Sequence, residues 1–178
     1  LIKEESKTKI IVIVANERGA LDASNYDQIN IFGYPFSISE NFQIRNTNKT
    51  IKESINVLNN IIEISDKSNK EVVVYLSMAF GNPYGDPWNI EIVLDWIYRL
   101  KLLGIKTISL SDTIGISEPD QIKKILNAAN SEYKEIEFGA HFHSMPGDWY
   151  DKIKAAYSSG CFRFDGTIMG FGGCPMAS

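Results

Sequence analysis

The two histidines of the chain, His141 and His143, are separated by a single phenylalanine in the segment HFHSMPGDW, residues 141–149. In an extended strand successive side chains point to opposite faces, so the two imidazoles would share one face. Paired imidazoles are a bidentate arrangement suited to a metal ion. The alternative is two unrelated polar residues at the end of a strand, and the spacing alone leaves both interpretations open.

A carboxylate and a thiol are further candidates for chemistry. Asp112 lies in the segment SLSDTIG, where it could act in acid–base catalysis or simply cap the following helix. We expect Ser109 to share the Asp112 face of the strand and to reach a substrate oxygen. Cys174 follows Gly172 and Gly173 in a loop that can bend sharply, so its thiol could act as a general acid or nucleophile. A flexible turn with an incidental cysteine is the alternative.

Six short apolar runs are predicted to be β-strands. Most are apolar on both faces and rich in β-branched and aromatic residues, as in a parallel sheet covered by helices. They span residues 9–16, 29–36, 71–78, 107–112, 136–143 and 162–170. Because helical patterns separate them, the expected class is α/β with βα units. Cys161, just before the last run, is expected to be a small buried hydrophobe.

Four of the connections between these strands carry apolar stripes at helical spacing. The stripes are Ile51, Ile55, Leu58 and Ile62; Ile90, Val93, Leu94 and Ile97; Ile122, Ile125, Leu126 and Ala129; and Trp149, Ile153, Ala156 and Tyr157. Each is expected to pack a helix onto the sheet. Helix-start signals precede three of them: Thr50 with Glu53, Asp86 with Pro87, and Ser117 with Asp120.

A polar or reactive group stands at or just beyond the end of each predicted strand. These groups are Asn16, Ser37, Ser77, Asp112, the two histidines, and the glycine-rich segment 170–175. In βα barrels the catalytic residues collect at the carboxyl ends of the strands, because the βα loops open there. We therefore expect these groups to lie together at one rim of the sheet and to form the active site there. The polar stretch 37–50 is expected to be a long βα loop at that rim.

The composition is that of an ordinary globular protein, and residues 1–178 are expected to form a single domain. A net charge of −4 argues against nucleic acid or an anionic membrane as the partner. No apolar run approaches the roughly 20 residues that span a bilayer, and no signal-peptide pattern is present. The two cysteines cannot form a disulfide framework, which favours a reduced, cytoplasmic setting.

The segments SLSDTIG, GAHFH and GFGGCPMA, in this order, resemble the 3-hydroxy-3-methylglutaryl-CoA lyase family of metal-dependent TIM-barrel lyases. The segment YLSMAFGNPYGDP is similar to a loop of that family, and the GGCP loop is the most specific element. The resemblance covers essentially the whole chain. It implies a partial TIM (β/α)8 barrel of about six βα units, equivalent to strands three to eight. It also implies cleavage of 3-hydroxy-3-methylglutaryl-CoA to acetyl-CoA and acetoacetate.

The resemblance assigns chemical roles to four residues. His141 and His143 would bind a divalent cation, Mg²⁺ or Mn²⁺, and His141 would also take part in proton transfer. Asp112 would act in acid–base chemistry, and Cys174 would take part in catalysis. The implied reaction needs a base for the tertiary hydroxyl proton, a cation beside the developing oxygen charge, and an acid for the departing enolate carbon.

The remaining implied contacts concern the substrate, a small acyl-CoA molecule. Ser109 would lie beside it, Asn16 would contact the substrate or its CoA portion, and Gly172 and Gly173 would close over it. Two other activities remain open: a related aldolase or condensing enzyme acting on another acyl-CoA or a 2-oxo acid, and a non-catalytic acyl-CoA-binding remnant. A homo-oligomer is the expected state of the full-length protein.

The chain also departs from the family pattern. Members commonly follow the histidine pair with an aspartate-containing DTYG segment, whereas this chain has Ser144, Met145 and Pro146, with Asp148 at a different offset. The resemblance further implies two earlier strands, with an arginine and a metal-binding aspartate, and a later asparagine ligand. We therefore expect a fragment of a longer gene product, inactive or nearly so by itself.

Overall fold

The computed structural model describes residues 7–168, which form a six-stranded parallel sheet in the order β1-β2-β3-β4-β5-β6. The strands are β1 Ile10–Ile13, β2 Ile29–Ser37, β3 Glu71–Ser77, β4 Thr107–Asp112, β5 Glu137–Phe142 and β6 Arg163–Phe164. The helices are α1 Glu17–Ser24, α2 Glu40–Thr47, α3 Ile51–Lys67, α4 Ile90–Leu102, α5 Pro119–Glu132 and α6 Trp149–Ser158. Sequential parallel strands joined by helices make a half-barrel, which confirms the expected α/β partial TIM barrel.

The apolar core lies between the sheet and its helices. Val74, Ile108 and Phe138 from neighbouring strands belong to the same buried cluster as Ile97 of α4 and Leu126 of α5. Since side chains alternate along a strand, the residues between these core positions point to the other, inner face of the half-barrel. The inner face is where the candidate site lies.

The stretch 37–50 is not a plain loop, so that prediction was wrong. It contains α2, whose first turn is capped by Ser39 accepting a hydrogen bond from the Phe42 amide at 3.1 Å. Phe42 is buried in the core, and Gln43 donates to Ser54 at 2.9 Å. A buried glutamine takes the place of an apolar residue here, which hid the helical pattern. Helix α1 was not predicted either, because its buried face consists of two alanines.

The start of α3 is as predicted. Thr50 accepts a hydrogen bond from the Glu53 amide at 3.1 Å, and the Glu53 carboxylate accepts from the Thr50 amide at 2.8 Å. These two reciprocal bonds complete a capping box. Residues close in sequence suffice to form it, so the pattern is readable without the fold.

The other two helix-start predictions were wrong. Helix α4 is capped by Asn89, which accepts from the Ile92 amide at 2.8 Å, whereas Asp86 turns away and accepts hydrogen bonds from Asn41. Helix α5 has no side-chain cap, because the Ser117 hydroxyl donates to Asp112 instead. In both cases a partner outside the helix took the side chain that the local pattern had assigned to the cap: Asn41 is 45 residues from Asp86, and Asp112 is five residues from Ser117.

The last two elements differ in detail from the prediction. On α6 the aromatic residues Trp149 and Tyr157 are exposed, whereas Lys152, Ala155 and Ala156 are buried. Strand β6 ends at Phe164 within the described residues, and Cys161 is fully buried just before it, as expected. Between residues 7 and 168 no helix is long and apolar enough to cross a membrane.

Candidate active site

The two histidines lie side by side at the end of β5. His141 is in the strand and His143 directly follows it, and their ring centroids are 5.5 Å apart. Phe142 points the other way and packs edge-on against Phe80. The predicted shared face is therefore observed. Within the described residues no group of three or more His, Cys, Asp or Glu side chains is placed to hold a metal, so the pair contributes two donors.

His143 is in the protonation state that metal binding requires. Burial and the neighbouring His141 lower the pKa of His143, and Lys152 adds to this effect, while Asp112 opposes it. A lowered pKa keeps the imidazole neutral at neutral pH, and only a neutral imidazole nitrogen can bind a cation.

Asp165, which was not among the predicted site residues, orients His141. Its Oδ2 accepts a hydrogen bond from the Ser109 hydroxyl at 3.0 Å and lies 3.1 Å from His141 Nδ1. Burial raises the pKa of Asp165, but the hydrogen bonds of His141 and Ser109 and the charges of His141 and Arg163 outweigh it, so this pKa lies below its ordinary value. An ionised Asp165 can only accept, so His141 Nδ1 carries the proton, and in the neutral ring Nε2 is the nitrogen with the free lone pair.

A sequence signal for Asp165 existed. The residue follows β6 just as the other polar groups follow their strands, but the predicted strand ran on to residue 170 and placed Asp165 inside it. The actual strand is two residues long and ends at Phe164. Applying the rule of polar strand ends to the shorter strand would have found this carboxylate.

The inner face beside this cluster is polar across three strands. Tyr75 on β3 meets the His141 ring edge-on at 5.6 Å, and burial together with the Asp165 charge raises the Tyr75 pKa. Gly139 on β5 leaves the space that the cluster occupies. A Cβ there would lie 3.1 Å from the Arg163 side chain and 3.3 Å from the Ser109 hydroxyl. Tyrosine, serine, histidine and aspartate can therefore meet in one patch.

Asp112 faces the other side of the sheet. Ser109 and Asp112 are three positions apart on β4, so alternation places them on opposite faces, and the expectation of a shared face was wrong. Asp112 is 1% exposed, and its carboxylate accepts from the Ile116 amide, the Ser117 amide and hydroxyl, and Lys152 on α6. The carboxylate anchors the turn after β4 to the helix layer.

The remaining polar strand ends have local structural contacts. Asn16 caps α1 by accepting from the Gly19 amide at 2.9 Å. Ser37 and Ser77 are buried register partners on β2 and β3, and the Ser37 hydroxyl accepts a hydrogen bond from the Ser39 amide at 3.0 Å. Asp148 accepts from the Met145 amide at 2.8 Å and pairs with Lys152. Its carboxylate thereby links the loop after β5 to α6.

Three predicted residues, Gly172, Gly173 and Cys174, lie outside the described residues. Their proposed roles stay predictions. The geometry within residues 7–168 therefore brings together His141, His143 and Ser109, adds Asp165 and Tyr75, and separates Asp112 and Asn16 from this cluster.

The HMGL-like family model matches residues 2–175. The hydroxymethylglutaryl-CoA lyase YngG of Bacillus subtilis is 33% identical over 99% of this chain, which covers 58% of that protein. A Pseudomonas aeruginosa 3-hydroxy-3-isohexenylglutaryl-CoA/hydroxymethylglutaryl-CoA lyase is 32% identical over 78% of this chain and 46% of its own length.

Solved structures agree with these sequence similarities. An HMG-CoA lyase from Acinetobacter baumannii, in complex with coenzyme A and 3-methylmalate, superposes with a TM-score of 0.88 at 27% identity. The alignment covers 99% of this chain and 57% of that one, so the chain spans little more than half the length of these relatives. The match of fold, sequence and polar strand ends leads to one assignment: the chain belongs to the HMGL-like family.

Proposed function

We propose that the protein acts as a carbon–carbon lyase that cleaves 3-hydroxy-3-methylglutaryl-CoA to acetyl-CoA and acetoacetate with the help of a divalent cation. The observation that carries this proposal is the convergence of His141 and His143 on the inner face of the half-barrel, with Asp165 behind His141. The similarity to lyases along almost the whole chain supports the reaction class.

The donor set fits a divalent cation. His141 and His143 would hold it, with Asp165 as the carboxylate that keeps His141 Nε2 free. Mg²⁺ or Mn²⁺ would supply positive charge beside the substrate oxygens as a negative charge develops there. Because the described residues provide only two donors, we expect the 178-residue chain by itself to be inactive or nearly so.

The proposed reaction makes two demands on the protein. A base takes the proton of the tertiary hydroxyl at C3, the C2–C3 bond breaks, and its electron pair passes to C2 as the thioester enolate. The C3 oxygen becomes the ketone of acetoacetate, and an acid protonates C2 to give acetyl-CoA. We assign the first proton transfer to the His141–Asp165 pair, in which the Asp165 carboxylate takes the proton while Nε2 of His141 holds the cation, and the protonation of C2 to Cys174.

In this proposal Asp112 acts indirectly, through the residues that it contacts. A direct proton exchange with substrate would require its contacts to Ser117 and Lys152 to break. Ser109 likewise acts indirectly. It is buried and donates a hydrogen bond to Asp165, and so helps to hold that carboxylate beside His141. We assign contacts with the acyl-CoA to Asn16, Gly172 and Gly173.

A chimaera tests the proposal. This chain would replace the matching region of the B. subtilis lyase, and acetoacetate release from 3-hydroxy-3-methylglutaryl-CoA would be measured with and without Mg²⁺ or Mn²⁺. We expect cation-dependent cleavage that falls by at least about 100-fold in His141→Ala and Cys174→Ala. Lys154→Met, on the exposed face of α6, is the control with unchanged rate. A folded chimaera without cleavage would refute the lyase assignment.

A larger 3-substituent on the glutaryl-CoA substrate is the second candidate. The P. aeruginosa relative is named for both the isohexenyl and the methyl compound. Comparing the kcat/KM values of the chimaera for the two thioesters distinguishes them. We further expect a cytoplasmic protein, and a homo-oligomer at full length, which light scattering after size-exclusion chromatography would measure.

A further inference from the structure

A buried lysine lies behind the histidine pair. Lys152 is only 2% exposed, although it sits on α6 in a helix whose aromatic residues are exposed. Lysine is almost never fully buried unless its ammonium is paired. The proposed reaction does not use this group, so its burial needs another explanation.

The Lys152 ammonium joins three segments at the end of the sheet. Its Nζ lies 3.1 Å from Oδ2 of Asp112, at the end of β4, and 2.9 Å from the carbonyl of Gly115, in the turn that follows. It also lies 3.4 Å from the His143 carbonyl and 3.3 Å from Asp148 Oδ2 before α6. An ammonium has three hydrogens to donate, so these contacts occupy it fully.

Both ends of the His143 backbone are held by this arrangement. The His143 amide donates to the Asp112 carbonyl at 3.2 Å, while the His143 carbonyl accepts from Lys152. Gly115, at φ +74°, lets the turn after β4 approach the His143 carbonyl closely, since a Cβ at this position would lie 3.0 Å from the carbonyl oxygen. Fixing the backbone on both sides restricts the direction in which the imidazole leaves the chain.

We propose that Lys152 is a positioning residue for His143: its ammonium ties the His143 carbonyl to Asp112 and to the turn after β4, and so holds the imidazole beside His141. The metal-binding consequence rests on the proposed function. The effect on the His143 backbone does not, because it concerns the metal-free protein alone.

The primary experiment is NMR of the metal-free 178-residue protein. We expect Lys152→Met to shift the backbone amide and imidazole Cε1–Hε1 signals of His143. Lys154→Met removes an exposed lysine from the same helix, and Ala156→Gly weakens that helix without touching the ammonium. Both should leave the His143 signals in place. Unchanged His143 signals in folded Lys152→Met would overturn the proposal.

A second variant covers the case in which Lys152→Met fails to fold. Removing one partner of a buried ion pair leaves an uncompensated charge, whereas replacing both partners avoids it. The Asp112→Asn, Lys152→Met double variant therefore retains the fold and still lacks the ammonium. We expect the same displacement of the His143 signals in it, and their wild-type positions there would equally refute the positioning role.

Mn²⁺ binding, followed by loss of the free-ion electron paramagnetic resonance signal, tests the functional consequence. Changes to groups that support a metal ligand commonly weaken affinity by about 10- to 100-fold. We expect a loss of at least about 10-fold in Lys152→Met and none in Lys154→Met. Absence of Mn²⁺ binding by the wild-type chain would count against the proposed cation site, while the NMR result would still decide the role of Lys152.

Discussion

Replacing Asp165 with alanine should destabilise the protein measurably and release His141. The carboxylate makes two contacts, with the Ser109 hydroxyl at 3.0 Å and with His141 Nδ1 at 3.1 Å, and its side chain is 25% exposed. Hydrogen bonds to a charged group contribute about 1.5–3 kcal/mol each, and removing the carboxylate also relieves its own burial. Asp165→Ala also leaves Ser109, 1% exposed, without its acceptor. We therefore expect a net loss of about 2–3 kcal/mol.

Urea unfolding measures the loss in Asp165→Ala. With a slope of about 2 kcal/mol/M, the midpoint should fall by about 1 M at constant slope. Asp165→Asn keeps an acceptor for the serine hydroxyl and should lose about half as much. Asp151→Ala, which removes an exposed carboxylate from α6, is the control. ¹⁵N NMR of the His141 ring should report a mixture of tautomers in Asp165→Ala. A variant with an unchanged midpoint and the Nδ1–H tautomer intact would refute the orienting role of Asp165.

Four further outcomes follow from individual contacts. Gly115→Ala should lower the free energy of unfolding by about 1–3 kcal/mol and shift the His143 NMR signals, because φ at this position is +74° and the new Cβ meets the His143 carbonyl. Wild-type stability in urea unfolding would contradict this strain. Burial raises the pKa of Asp86, but hydrogen bonds from the start of α2 outweigh it, and the net pKa is lowered. The stabilisation by the Asp86 carboxylate is thus present above the ordinary aspartate pKa and lost as the pH falls through the pKa of Asp86 in the folded protein. Asp86→Asn should therefore flatten the fall in melting temperature between about pH 5 and pH 3. An unaltered dependence of melting temperature on pH would exclude this contribution. Thr50→Ala should lower the free energy of unfolding by about 1 kcal/mol through loss of the capping box, so an unchanged urea midpoint would count against it. The Cys161 thiol, fully buried and with its pKa raised by burial, should resist iodoacetamide in the native protein, and rapid labelling found by peptide mass spectrometry would disprove that.

Strands β2, β3 and β4 were readable from sequence because each is a short and largely buried apolar run. The predicted strand at 107–112 is the observed β4, and the predicted strand at 29–36 differs from β2 by one residue. Parallel strands covered by helices leave a continuous apolar signal, and turn residues bound it. The alternation of strand and helix patterns predicted parallel strands, whereas the sequential strand order of a partial barrel was implied by the family resemblance.

The histidine pair was readable for a similar reason. Two residues at i and i+2 of a strand share a face whatever the rest of the fold does, and His141 and His143 do lie ring to ring. The capping box of Thr50 and Glu53 also depends only on residues three positions apart. Short-range geometry is set by the backbone, so sequence spacing determines it.

What the sequence by itself determined, then, is the α/β half-barrel and the shared face of the two imidazoles. Only the tertiary structure decided which polar side chains meet them. Asp165 reaches Ser109 and His141 across 56 and 24 residues, and Lys152 reaches Asp112 across 40. Such contacts depend on how strands and helices pack, and no local pattern specifies them. The same packing placed Lys152 of α6 against Asp112 and brought Asp165, which follows β6, to His141 on the inner face.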